Sequence, residues 1–261
     1  MNAGSEDNSS FKVGNRILAR GGSRQSYTSR LATNREEIRA AQALRFQVFN
    51  LELNEGLEQS FATCLDADPF DEVCDHLLVE DSGTGIIVGT YRLQMGDKAA
   101  ANRGFYSAQE FDFDPFEPVR AQVVELGRAC VHRDHRNLAV LSMLWRGIYA
   151  YARPRAGRYL IGCSSLTSQA ATEGAAMYNE LQRKHLVEAR FRTTPLPALA
   201  CPMDQLLPSA PKVPKLLAAY LAVGAKICGP PAIDREFKTI DFLTFLDLDA
   251  LPASTVRRYL A

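Results

Sequence analysis

Glu125 and Arg128 form a charged pair whose spacing could serve chemistry. They lie in the segment from Gln122 to Cys130, whose apolar residues predict a β-strand. Residues three apart on a strand point to opposite faces, unless a bulge re-aims one of them. Glu125 could then face a cleft and orient or deprotonate an amine, while Arg128 packs behind it. The alternative is a structural ion pair between the two side chains.

An acidic stretch precedes a second strand candidate. Asp71 and Asp75 lie four residues apart, and His76 follows directly. Carboxylates at these positions could bind an ammonium group of a substrate. His76, with an ordinary pKa of about 6.5, could act as a base or proton relay, or it could simply begin the strand and bond to a neighbour. For the nearby Asp66 and Asp68 we favour a solvated acidic loop.

Arg45 and Arg92 are the remaining charged residues of the candidate site. A guanidinium group can bind a carboxylate with two parallel hydrogen bonds. Each arginine could therefore bind the carboxylate of a substrate or hold the acidic stretch in place. We favour the second role for Arg45 and leave both open for Arg92.

Cys130, His132 and His135 have a spacing that could suggest a zinc site. They fall at the end of the predicted strand, and no fourth ligand is evident, so we predict no metal. A nucleophilic role for Cys130 is not favoured either, because cysteines in strands usually pack as small apolar residues. None of the six cysteines forms a C-x-x-C pair, and we expect reduced thiols.

Strand and helix patterns alternate along one domain. Residues 1–25 are polar and without apolar periodicity, which predicts a mobile tail before a single domain over 26–261. The order β-α-β-β-β-α-β-α, then a further helix and strand, indicates a mixed α/β (α+β) fold. The predicted elements are a strand at 26–32, a helix after 33, a hairpin at 76–80 and 86–93, a strand at 122–130, a helix at 138–152, a strand at 159–163, helices at 169–185 and 215–228, and a strand at 241–247.

The composition excludes some classes of protein. Thirty basic residues balance thirty acidic ones, so no overall field would attract nucleic acid. The start of the chain has no apolar region of the signal-peptide type. The longest apolar helical stretch, about 216–225, is far shorter than the roughly 18 residues that a membrane span needs. We therefore expect a cytoplasmic protein.

Six motifs follow one another in an order that resembles one known family. They are R-x-x-V-F at 45–49, F-D-E-V-C-D-H-L-L-V at 70–79, G-T-Y-R-L at 89–93, G-F-Y-S with E-F-D at 104–112, E-L-G-R-A-C-V-H at 125–132, and D-x-x-F-x-x-x-D at 234–241. Together they resemble the acyl-carrier-protein-using branch of the Gcn5-related N-acyltransferases that makes the lyso precursor of ornithine lipids. The resemblance covers about residues 31–251.

The resemblance implies a mixed central sheet flanked by helices and the transfer of a long-chain (3-hydroxy)acyl group to the α-amine of ornithine. It also implies roles for the charged residues described above. The implied catalytic residues are Glu125, Asp71 and His76, and the implied substrate-binding residues are Asp75, Arg45, Arg92 and Arg128.

The donor site follows from a departure from the usual pattern. Acetyltransferases hold the coenzyme A pyrophosphate on a glycine-rich loop at a helix N-terminus. The matching window, 136–141, has no glycine, which favours acyl carrier protein with its single phosphate. Arg133 and Arg136 could meet that phosphate or the acidic surface of the carrier, and Cys163 and Ser164 could pair with the pantetheine arm. No bound cofactor is predicted.

Other functions share these features. An acyl-homoserine-lactone synthase has a similar set of motifs, but the sequence shows no special site for adenosylmethionine, and Cys74-Asp75-His76 favours the lipid branch. A synthase that acylates a different amino acid is a closer alternative. A carrier-binding module without activity is disfavoured, because candidate groups are present in every motif.

The last candidate surface is a helix that could touch a membrane. Apolar residues at 216–223 are flanked by Lys212, Lys215 and Lys226, a pattern that could rest on an anionic bilayer. The preferred interpretation is that a helix this short packs its apolar side into the core. A weak contact of the basic tail with acidic lipid is a further alternative.

Overall fold

A computed structural model of the protein describes residues 13–16, 26–204 and 209–260. One mixed sheet organises them. Its strands are β1 (Val13–Arg16), β2 (Ser26–Leu31), β3 (Asp75–Asp81), β4 (Ile87–Met95), β5 (Val123–Val131), β6 (Tyr159–Leu166), β7 (Lys226–Ile227), β8 (Ala232–Asp234) and β9 (Thr239–Asp247). The order across the sheet is β1-β2-β3-β4-β5-β6-β9-β7, and β8 also pairs with β9.

Helices cover both faces of this sheet. They are α1 (Arg35–Phe46), α2 (Gly96–Ala101), α3 (Leu138–Ala152), α4 (Ala171–His185), α5 (Lys215–Val223) and α6 (Ala253–Thr255). Shorter 3₁₀ or π segments are Gln47–Glu52, Glu58–Ala62, Pro69–Glu72, Tyr106–Gln109, Asp114–Gln122, Arg133–His135, Arg153–Arg155, Ala189–Phe191, Leu248–Ala250 and Val256–Leu260. No helix of the described ranges is long and apolar enough to cross a membrane.

Successive side chains on the central strands point to opposite faces of the sheet, and the two faces have different characters. Leu77 and Tyr91 point to one face, where they pack against Leu144 and Ile148 of α3 in the largest apolar cluster. The intervening polar residue Arg92 points to the other face, towards the side that α1 covers. One face therefore carries the main core, and the other carries the charged groups of the candidate site.

The predicted elements are largely confirmed, with two corrections. The predicted mobile tail contains β1, whose four residues pair antiparallel with β2 and cover that strand's free edge. The other residues of that tail lie outside the described ranges. The helix predicted for 215–228 ends at Val223, because Gly224 adopts a left-handed conformation (φ 116°) that caps it, and Lys226–Ile227 then form β7.

The sheet opens between β5 and β6. These two strands pair in parallel only from Val123 to Glu125 on β5, and beyond that point they separate. Gly162 lies at the start of the opening, where an added Cβ would come within 2.2 Å of the Leu126 carbonyl oxygen. Only glycine allows this close approach. β6 instead pairs along its whole length with β9. Beyond Glu125, this edge of β5 therefore has no strand partner in the part of the chain that the structure describes.

A bulge in β5 lies next to the opening. Thr90 pairs with Cys130, but Arg92 pairs with Gly127, so β5 contains one extra residue between these pairs. Arg128 falls within the bulge and adopts a left-handed backbone conformation with φ 48°. A bulge of this kind rotates the side chain away from the regular alternation of the strand.

Candidate active site

The opening between β5 and β6 forms a cleft with a cavity of about 720 Å³. One wall is β5 with the neighbouring part of β4, and the other is β6. The 3₁₀ turn Tyr106–Gln109, the N-terminal part of α3 and α5 close the remaining sides. Of the residues predicted from the sequence, those that line the cleft are Glu125, Arg92, Arg128, Arg136, Cys163 and Ser164.

Glu125 is buried at the floor of this cleft. One carboxylate oxygen accepts a hydrogen bond from the Tyr106 backbone N–H at 2.8 Å, and the other accepts one from Ser107 at 2.7 Å. Burial raises the pKa of Glu125, and these two hydrogen bonds oppose the rise. The residue therefore holds the turn Tyr106–Gln109 in place and also presents a carboxylate of raised basicity to the cleft.

Arg128 lies on the same side as Glu125, which corrects the expectation that the two face apart. The bulge supplies the reason, because it adds a residue between Glu125 and the end of the strand. The Arg128 guanidinium donates to Asp68 at 3.1 Å and stacks on the rings of Tyr106 and Phe237. The alternative of a Glu125–Arg128 ion pair does not form among the described residues.

Three arginines and three aspartates form one buried network beside the cleft. Arg45 donates to both carboxylate oxygens of Asp71, at 2.9 and 2.6 Å. Arg92 donates to Asp68 at 2.6 Å and to Asp71 at 3.2 Å. The members are Arg45, Arg92, Arg128, Asp66, Asp68 and Asp71. Their charges balance, so the acidic stretch is a buried, neutralised segment rather than a solvated loop.

Asp71 belongs to this network, and His76 lies next to Asp71. Although burial raises the pKa of Asp71, Arg45 and Arg92 outweigh it and hold the pKa well below its usual range. Burial lowers the pKa of His76, whose Nε2 lies 3.1 Å from the Asp71 carbonyl oxygen. Neither side chain lines the cleft. Their positions assign them a positioning role, and direct catalysis by either stays a prediction without support from the geometry.

The other predicted substrate residues are also held by protein groups. Asp75 accepts hydrogen bonds from Lys98 at 2.9 Å and from the Tyr151 hydroxyl at 2.7 Å, and it does not line the cleft. Arg45 is almost fully buried against Asp71 and the Asp66 carbonyl. Both residues therefore stabilise the wall of the site, which is the role favoured for Arg45 from the sequence.

Of the predicted donor residues, Arg136, Cys163 and Ser164 line the cleft, and Arg133 does not. Arg136 bonds Glu52 through two nitrogens, one at 2.8 Å, and Arg133 is exposed beside Asp134. Asn137 caps α3 by accepting from the N–H groups of Ala139 and Val140. This cap occupies backbone donors that a glycine-rich loop would offer to a pyrophosphate.

A second group of carboxylates lies at the cleft, and the sequence did not assign it a role. Its members are Glu55, Glu110, Asp234 and Asp241. Glu55, Asp234 and Asp241 line the cavity, and Glu110 lies behind them, next to Cys163 and Asp241. Burial and the neighbouring Asp241 raise the pKa of Glu110, and burial also raises the pKa of Asp241. Within the described ranges none of the four forms an ion pair with a basic side chain. Glu110, Asp234 and Asp241 belong to the E-F-D and D-x-x-F-x-x-x-D motifs, but these motifs alone did not indicate what the residues do.

Cys163 lies against this carboxylate group. Its Sγ lies 3.6 Å from Ser107 Oγ, and burial raises the pKa of its thiol. One ligand atom each from Glu110, Cys163 and Asp241 lies within 4.8 Å of the other two, so these three could hold a metal ion. The sequence candidate Cys130 does not form such a group with the two histidines in the part of the chain that the structure describes, and it packs in an apolar cluster.

An apolar pocket meets the cleft at the strand opening. It lies between α3, α5 and β6 and ends against the C-terminal segment. The two cavities share the backbone segment 127–129 and Cys163. Side chains that line the apolar pocket include Leu126, Trp145, Ile148, Leu160, Tyr220, Val223, Leu246 and Leu260. Such a lining is suited to an aliphatic group, but the pocket's volume of about 80 Å³ holds only a small part of a long chain.

The split between two parallel central strands, with a carboxylate on the floor of the cleft, defines a Gcn5-related N-acyltransferase. Residues 44–146 match the family model described as "Acetyltransferase (GNAT) domain". The structure is also similar to that of the acyl-homoserine-lactone synthase LasI, with a TM-score of 0.52 and 9% identity over 91% of this chain and 98% of LasI. The structure is also similar to that of FeeM, an N-acyl amino acid synthase from uncultured soil microbes. The TM-score is 0.50, and the identity is 12% over 86% of this chain and 92% of FeeM. These two likenesses establish the fold.

Curated relatives narrow the class. The chain is 34% identical over 248 residues to an L-ornithine N(alpha)-acyltransferase of Agrobacterium fabrum, which covers 88% of this chain and 84% of that protein. It is 33% identical over 251 residues to the Brucella abortus protein of the same name, covering 88% and 87% of the two chains. The protein belongs to the L-ornithine N(alpha)-acyltransferase family, which confirms the resemblance seen in the sequence motifs.

Proposed function

We propose that the protein transfers a long-chain acyl group from acyl carrier protein to the α-amine of ornithine. The observation that carries the proposal is the meeting of two unlike cavities at the strand opening. The small apolar pocket of about 80 Å³ takes one end of the acyl chain, and the rest of the chain lies along the apolar part of the larger cleft. The acidic part of that cleft, with Asp234 and Asp241, takes a cationic amino acid. The thioester then lies between them, beside residues 127–129. Membership of the ornithine acyltransferase family supports the same assignment.

The free edge of β5 suits the reaction. The amine attacks the thioester carbonyl carbon, a C–N bond forms, and the C–S bond breaks to release the pantetheine sulfur as a thiolate. The proton that the amine loses then passes to this sulfur, which leaves as the thiol. Backbone N–H groups along an edge without a strand partner can stabilise the oxyanion that develops during this attack. Glu125 is the one predicted catalytic carboxylate that lines the cleft, and it receives the proton of the amine directly or through a water.

The donor assignment rests on the mouth of the cleft. The Asn137 cap leaves little of the usual pyrophosphate cradle. Arg136 lines the cleft and Arg133 is exposed nearby, and a docking carrier would compete with Glu52 and Asp134 for them. Leu138 is 79% exposed beside them, which offers an apolar contact for a docking partner. An arm that carries a single phosphate and is attached to an acidic carrier protein fits these features better than coenzyme A does.

A direct assay tests the donor and the acceptor together. The protein is mixed with long-chain acyl carrier protein and a panel of amino acids, and products are identified by mass spectrometry. We expect an N-acyl ornithine and an equal amount of free carrier thiol, formed with a higher kcat/KM than from the matching acyl coenzyme A. Preferential acylation of another amino acid would overturn the acceptor assignment. Equal kcat/KM for the two donors would overturn the donor assignment.

Membrane contact through α5 stays a prediction with its own test. The helix buries Leu217 and Val223 in apolar clusters, as preferred from the sequence, while Leu216 is 37% exposed. Co-sedimentation with anionic vesicles at low and high salt measures any peripheral binding, since attraction to surface charge is screened over about 10 Å at 0.1 M salt. Pelleting at low salt that falls at high salt supports the contact. No pelleting at low salt contradicts it.

A further inference from the structure

The second carboxylate group contains no ion pair with a basic side chain among the described residues. Asp241 and Glu110 are 4% exposed each, and Asp234 lies beside them at the cleft. The network of three arginines and three aspartates uses its own positive charges internally. Buried carboxylates without basic partners are costly, and they are commonly retained where they bind a ligand.

Asp241 gives an independent sign of a binding role. Its Oδ1 is buried and has no hydrogen-bond partner among the described residues, although Ser165 and Thr239 act on the carboxyl group and oppose the rise in its pKa. The side chain lines the cleft rather than the core. Asp234 is already oriented, because its Oδ1 accepts the backbone N–H groups of Glu236 and Phe237 at 2.8 Å each. A donor that enters the cleft would therefore meet a fixed set of acceptor oxygens.

We propose that Asp234 and Asp241, with Glu110 next to Asp241 behind the cleft wall, bind the side-chain ammonium of the acceptor amino acid and so select a diamino acid. The proposal rests on the proposed function and names the residues that make it specific for ornithine. Through Cys163, Glu110 is linked to Ser107, and Ser107 bonds Glu125. The carboxylate group and Glu125 are thus separated by short side chains, which suits a molecule with two amines joined by a short carbon chain.

Proton balance supports this arrangement. Burial and mutual repulsion raise the pKa of both Glu110 and Asp241, so the adjacent pair holds a proton in the free protein. An entering ammonium supplies the positive charge instead, and the proton leaves to solvent. A neutral side chain of the same length offers no such replacement, and it would leave the carboxyl oxygens without a partner.

The experiment compares ornithine with norvaline, which has the same carbon chain and no side-chain amine. For the wild type we expect kcat/KM with acyl carrier protein to be on the order of 10²-fold higher for ornithine, since buried hydrogen-bonding sites discriminate strongly against analogues that lack the group. Asp241→Asn and Glu110→Gln should lower the ornithine value by at least 10-fold and leave the norvaline value within about 3-fold. Glu236→Gln is the matched control, because Glu236 is an exposed carboxylate in the same turn.

The outcomes separate this proposal from the one on which it rests. Equal wild-type kcat/KM for ornithine and norvaline overturns the pocket assignment while the acyltransfer function stands. Variants whose kcat/KM falls equally for ornithine and norvaline also overturn it, because a parallel fall indicates a structural or catalytic role. Failure to acylate any α-amino acid removes both proposals. Thermal denaturation completes the test: an amide in place of one member of this proton-sharing pair removes the repulsion between two buried acids, so it should keep or raise the Tm, and a lower Tm in both variants contradicts the ligand role.

Discussion

Replacement of Arg45 by methionine should destabilise the protein strongly without touching the cleft. The Arg45 side chain is 1% exposed and holds both oxygens of Asp71, which is itself 4% exposed. Removing one partner of a buried ion pair costs about 3–5 kcal/mol, because the other charge stays buried. Asp71 keeps its hydrogen bonds from Gln42 and Arg92, so we expect the lower end, about 3 kcal/mol.

The assay is denaturant or thermal unfolding of Arg45→Met beside Arg153→Met. Arg153 pairs with Asp249 at the surface, where both side chains are more than 40% exposed, so its loss should cost less than about 1 kcal/mol. For a chain of this size about 3 kcal/mol corresponds to a fall in Tm of roughly 10 °C. Similar unfolding free energies for the two variants would refute the reasoning.

The pH dependence provides a second check. The folded protein holds the pKa of Asp71 below its unfolded value of about 3.9. A depressed carboxyl pKa contributes stability that is present above about pH 4 and is lost as the pH falls through the folded pKa. The difference in unfolding free energy between wild type and Arg45→Met should therefore be largest near neutral pH and narrow below about pH 4. A difference that does not change with pH would contradict the assigned ion pair.

Three further changes test the cleft. Gly162→Ala places a Cβ against the Leu126 carbonyl oxygen, so we expect a lower Tm and slower acyl transfer, and an unchanged variant would show that the strand opening tolerates displacement. Glu125→Gln should lower kcat by about 10² to 10⁴ with the circular dichroism spectrum intact, and full activity would exclude Glu125 as the base. Arg136→Ala should raise the KM for acyl carrier protein several-fold with little change in kcat, whereas an unchanged KM would place carrier docking elsewhere.

Local sequence patterns predicted the elements of this fold well. The alternation in the hairpin and the apolar periodicity of 138–152 correspond closely to β3, β4 and α3. Glu125, which its motif singled out, lines the cleft, and its catalytic role stays a prediction. These features depend on neighbours close in the chain, which is why a single sequence shows them.

The arrangement of charges was less accessible. Arg128 is a non-glycine residue in a left-handed conformation, so nothing in its identity marks the bulge that turns it towards Glu125. The two acidic groups look alike in the sequence, yet Asp71 is neutralised by Arg45 while Asp241 has no basic partner in the described residues. This difference depends on which segments, distant in the chain, come into contact in the fold. The amino-acid composition does not indicate those contacts.

The neutral network of three arginines and three aspartates has a consequence for how such a protein can change over generations. Any single replacement that removes a charge leaves an odd buried charge and a large loss of stability. A second replacement that removes a charge of the opposite sign, at a position far away in the chain, would make the network neutral again. We therefore expect descendants of this sequence to alter Arg45 and Asp71 together or not at all. A library of paired substitutions at the six positions measures this coupling. We expect the stability changes at these positions to be strongly non-additive.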